Sequence, residues 1–129
     1  GFVSVVQDRY CKDGQVTVRA RIRDDLVSIL EKMNKDMPEI LEIEHADYRF
    51  RAIVAQDDFA LAVARAVMEI DYDNFKNAAC PYGSGDTERM IAYHRCWEAM
   101  HEFQERTLFD VTSGEKTFPF WDGETEGSA

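Results

Sequence analysis

The sequence predicts an α+β fold: a small, antiparallel three-stranded sheet in the order β-β-α-β-α-α-α, with helices packed on one face. Three observations carry this reading. Gln15 to Ile22 and Tyr48 to Val54 alternate apolar and polar residues with the period of a strand. Each stretch is followed by an Asp-Asp pair and then by apolar residues at helical spacing. Beyond residue 86 the pattern is helical only, with Met90, Tyr93, Trp97 and Met100 on one stripe.

The elements follow in order. Phe2 to Gln7 is short, apolar and β-branched, and Lys12-Asp13-Gly14 separates it from Gln15 to Ile22, which predicts a hairpin. In the second strand Val16, Val18, Ala20 and Ile22 share one face and Thr17, Arg19 and Arg21 the other. Asp24 and Asp25 supply an N-cap and first-turn negative charge to a helix with Leu26, Ile29, Leu30 and Met33 on its inner stripe, ending before Pro38. The third strand places Tyr48, Phe50, Ala52 and Val54 on one face and Arg49 and Arg51 on the other. Asp57-Asp58 opens a helix with Phe59, Val63, Ala66, Val67 and Ile70 inward. The two strand-to-helix passages are alike enough to fit either a faint duplication or chance.

A short third helix begins within Asp71-Tyr72-Asp73-Asn74-Phe75-Lys76, a loop spans Pro81 to Gly85, and a long helix runs from Asp86 to about Glu105. The expected organisation is a single domain over 2–106 and an acidic, aromatic-containing tail over 107–129 that is either mobile or a docking strap.

Composition narrows the function. With 45% hydrophobic residues, eight Phe, five Tyr and two Trp, the chain holds enough apolar mass for a core despite 31% charged residues. No apolar run approaches the roughly 20 residues that cross a bilayer, so the reading places the domain in the cytoplasm without a membrane role. Gly1 reads as a remnant of tag removal. Cys11, Cys80 and Cys96 form no Cys-x-x-Cys pair, which predicts free thiols rather than disulfides or a thiolate zinc site. The net charge of -10 disfavours nucleic acid unless basic residues gather on one face.

Four blocks resemble a family of small uncharacterised bacterial and phage proteins: Phe2 to Asp8, Val18 to Arg21, Ala46 to Ala52 and Ile70 to Lys76. The likeness spans about residues 2 to 103. That family has no established activity, so the resemblance implies no catalytic residue. It does imply a setting in bacteria or their mobile elements. The tail after Arg106 departs from the family pattern.

Arg19, Arg21, Arg49 and Arg51 are the leading candidate binding patch, because guanidinium groups on alternate strand positions share a face and match phosphates and carboxylates. The competing reading pairs them with the chain's 25 acidic residues as a solvated face, predicting a weak or null response to anions. Asp71, Tyr72, Asp73, Asn74 and Lys76 form a second candidate motif. Its acids suit Mg²⁺ or proton transfer, and equally a helix cap beside core-facing Tyr72 and Phe75. His94, Glu98 and His101 share a helical face and form half of a carboxylate metal site, with a polar edge as the competing reading. Neither cysteine near a turn or His lies in a nucleophile motif, and Gly83-Ser84-Gly85 is too short to cradle phosphate.

No cofactor and no catalytic set is expected. The leading expectation is a non-enzymatic, acidic interaction protein that binds a protein partner, such as a mobile-element accessory or anti-defence product. The alternative is a binder of, or enzyme on, a phosphorylated or carboxylated small molecule that uses the arginine face.

Overall fold

Alternation becomes sheet over four segments of the computed structural model, which describes residues 1–79 and 87–113, the side chains at 76, 77 and 109–113 excepted. These are β1 (Val3–Val6), β2 (Gln15–Ala20), β3 (Leu41–Glu42) and β4 (Phe50–Ala55). They form one antiparallel sheet in the order β1-β2-β4-β3. The expected three strands are therefore four. The addition pairs Leu41 with Arg51 and Glu42 with Phe50, and two exposed residues are too few to display an alternation.

Two helices cover one face of this sheet, α1 (Arg23–Leu30), which continues as a 3₁₀ turn through Met33, and α2 (Gln56–Met68). The core joins Val16, Val18, Ala20, Ala52 and Val54 of the sheet to Leu26, Leu30, Met33, Phe59 and Ala62. Leu26 and Leu30 are wholly enclosed, and burying a side chain of that size stabilises by roughly 1.5–3 kcal/mol. The inward stripe of α1 is thus the expected one.

Local chemistry shifts several boundaries. Ile22 does not continue β2 but sits at the N-cap of α1, half-exposed and with no side-chain cap. Asp24, Asp25, Asp57 and Asp58 lie inside the first helical turns, where they favour the helix dipole rather than cap it. The first helix stops well before Pro38, because Asn34 takes a left-handed conformation with φ 58°. In α2 the buried residues are Phe59 and Ala62, with Val63 and Val67 exposed, as is Ile70 just past the helix. Adjacent apolar residues at 62–63 and 66–67 offer two arcs, and the face bearing the alanine at 62 is the one that packs.

Gly14 is the one glycine that the turn demands. It closes the β1–β2 connection at φ 78°, and its carbonyl accepts the N–H of Gln56 at 2.8 Å, joining the hairpin to the start of α2.

The chain divides into two units, Gly1–Asp73 with the sheet, and Asn74–Ala129. In the second, α3 (Phe75–Ala79) stacks Phe75 on Tyr93 of α4 (Thr87–Ser113), with ring centroids 5.6 Å apart. The third helix thus starts at Phe75, within the expected 71–76 block. The last helix runs past Glu105 and takes in 107–113 of the expected tail. Cys80, the 81–85 loop and the Phe118 to Trp121 cluster lie outside the described residues. Among the described residues no helix is long and apolar enough to cross a membrane.

Candidate functional site

The face of the sheet turned away from α1 and α2 is built in rows. Antiparallel register aligns Ser4, Arg19, Arg51 and Leu41 across all four strands, and Val6, Thr17 and Ile53 beside them. At the turn end, the β1–β2 connection folds over this face and leaves Thr17 only 1% exposed. Its hydroxyl donates to Asp8 Oδ1 at 3.1 Å and lies 3.2 Å from Cys11 Sγ. Burial acts to raise the Asp8 carboxyl. Hydrogen bonds from the Tyr10 N–H, Thr17 and Cys11, together with the field of Arg51, outweigh it and hold the group below the usual carboxylate range.

At the other end the four candidate arginines separate into two kinds. Arg21 pairs with Asp47 at 3.4 Å, and Arg49 turns to β3, where its Nη2 meets Glu42 at 2.8 Å. Arg19 and Arg51 are the directly opposed cross-strand pair, and among the described residues neither has a carboxylate within ion-pair distance. Arg19 Nη2 donates to Ser4 Oγ at 2.7 Å, and Arg51 Nη2 to the Tyr48 carbonyl at 3.1 Å. The Nε of each is shielded from solvent and lacks an acceptor. Such a group keeps its desolvation cost uncompensated, about 1–3 kcal/mol in typical cases.

Tyr48 organises this end, which the alternation did not foresee. It stands before the first residue of β4, so strand geometry does not fix its side, and its ring joins the arginine face rather than Phe50, Ala52 and Val54. The guanidinium carbons of Arg19 and Arg21 lie 4.4 and 4.1 Å from its ring centroid. Burial acts to lower the Arg21 guanidinium, but Tyr48 and Asp47 outweigh it and raise the group above its ordinary value. An aromatic one residue from a run of alternating arginines was the available signal.

A second surface lies on α4. Trp97, expected in the core, is 60% exposed, and Met100, Phe103 and Leu108 are more than half exposed. They line a shallow groove with His101, Gln104 and Thr107. The indole stacks on His94 one turn back and on His101 one turn on, with centroids 6.0 and 4.8 Å away. His94 also pairs with Glu98 at 3.0 Å. The two imidazoles are thus engaged by the Trp97 ring, and among the described residues no group of three or more His, Cys, Asp or Glu is placed to hold a metal ion.

The motif at 71–76 is exposed over 71–75. Asp71, Tyr72, Asp73 and Asn74 are exposed and precede α3, where the Asn74 carbonyl accepts the Ala78 N–H at 3.1 Å. Tyr72 and Phe75 are 40% and 50% exposed, so the expected core-facing pair is instead a surface one. The Lys76 side chain lies outside the described residues. Cys11 and Cys96 are free thiols. Comparison with protein-family models, curated proteins and solved structures finds no match.

Proposed function

We propose that this chain is a non-enzymatic interaction protein whose α4 docks a basic, partly apolar protein partner. The observation that supports it most is the cluster of Trp97, Met100, Phe103 and Leu108, each more than half exposed on one helix. Aromatic and Met side chains exposed together are the usual composition of an interface centre. Glu98 and Glu102 are engaged by His94 and Arg106, but the whole chain carries a net charge of -10, so the complementary partner is cationic. The resemblance to bacterial and phage proteins adds a mobile-element setting, with accessory or anti-defence work as the matching role.

Affinity capture from a lysate of the source organism tests this when wild type and Met100→Glu are run side by side. The expected result is a protein retained by wild type, released by moderate salt and lost with the variant. Equal capture by both would refute α4 as the docking surface.

A further inference from the structure

We propose that the outer sheet face carries a site for one small oxyanion group, phosphate or carboxylate, held between Arg19 and Arg51 beside Tyr48. This site goes beyond the docking reading and is built from residues of the sheet unit alone.

Two like charges directly opposed on neighbouring strands repel one another. The chain carries 25 acidic residues, and the flanking Arg21 and Arg49 do take carboxylates, from Asp47 and Glu42. Among the described residues the central pair does not. A guanidinium presents five donors, and each of these two makes one hydrogen bond among the described residues. An oxyanion between them supplies acceptors to the Nη groups and removes the repulsion.

The surroundings hold the pair in place. Ser4 and the Tyr48 ring fix Arg19, and the Tyr48 carbonyl fixes Arg51, so little ordering remains when a ligand arrives. The same surroundings limit ligand size. Asp47 and Glu42 neutralise the flanks, and Asp8 sets a negative charge toward the turn end. This geometry takes a single anionic group and disfavours a polyanionic backbone.

The test is a set of thermal melts of the wild-type chain in chloride, acetate, sulfate and phosphate at matched ionic strength, with calorimetric titration of inorganic phosphate. Saturable stabilisation is expected. Phosphate acting above acetate marks a phosphate group as the ligand; acetate matching phosphate marks a carboxylate. Arg51→Gln and Arg19→Gln should each abolish the titration, and Arg51→Lys should weaken it roughly tenfold, since lysine keeps the charge and loses the planar fork. Identical melting in all four salts overturns the site without recourse to any variant. Wild-type phosphate affinity in both Gln variants overturns the assignment to these residues.

Discussion

Replacing Trp97 with Ala separates a core residue from a contact residue. Trp97 is 60% exposed, so about two-fifths of a side chain that buries 150–250 Å² when enclosed is shielded from water. At about 25 cal/mol per Å² that shielding is worth roughly 1.5–2.5 kcal/mol. The shielding includes His94 and His101 of the same helix, and alanine returns about 0.5 kcal/mol through better helix propensity. The expected cost is therefore about 1–2 kcal/mol, against about 3–5 kcal/mol for a Trp removed from a packed core. Urea titration followed by circular dichroism measures it, free of the signal from Trp121. A loss above about 3 kcal/mol would mean that the indole is enclosed in solution, and the docking surface on α4 would fall with it.

Two further expectations concern the hairpin. The Asp8 carboxyl is held below its ordinary value, so its contribution is present above the unfolded carboxylate range near pH 4 and is lost as pH falls through the lower folded value. Asp8→Asn should flatten the decline in stability as pH falls below the unfolded carboxylate range near pH 4; a decline as steep as in the wild type would refute the hydrogen-bonded carboxylate. Gly14→Ala should cost about 1 kcal/mol, because φ 78° strains any residue with a Cβ although the space around it is open. An unchanged urea midpoint would show that the turn relaxes to another conformation.

Much of the fold was legible where one physical rule acted alone. Val16, Val18, Ala20, Ala52 and Val54 alternate because one sheet face is packed and the other is not, and Leu26, Leu30 and Met33 repeat because a single stripe of α1 meets that face. The sequence was ambiguous where two arrangements share a pattern. An amphipathic stripe such as Met90, Tyr93, Trp97 and Met100 reads the same whether a core or a partner covers it. Val63 and Val67 in α2 compete with Ala62 and Ala66 for the inner arc. Strand β3 has no pattern at all, since its pairing is dictated by β4.

The arginine face was legible as a set of residues but not as a site. Spacing placed Arg19, Arg21, Arg49 and Arg51 together. Which carboxylates come within reach depends on Asp47 and Glu42, one in a loop and one on a strand that periodicity cannot reveal. Tyr48 went to the wrong face because the alternation was extended two residues past the end of the strand. Thr17 is enclosed by a connection whose path no local rule specifies.

The contact between Gly14 and Gln56 bears on the order in which the chain closes. β1 and β2 are joined by a short connection and can pair locally, whereas β2 and β4 bring together Val18 and Ala52 across the whole of α1 and β3. Closing that longer loop has an entropic cost before its contacts return anything, which makes it the slow step of assembly for the sheet. The Gly14 carbonyl meets Gln56 only once β4 is seated. The hairpin tip therefore belongs to the long-range closure of β2 on β4 and not to the local pairing of β1 with β2.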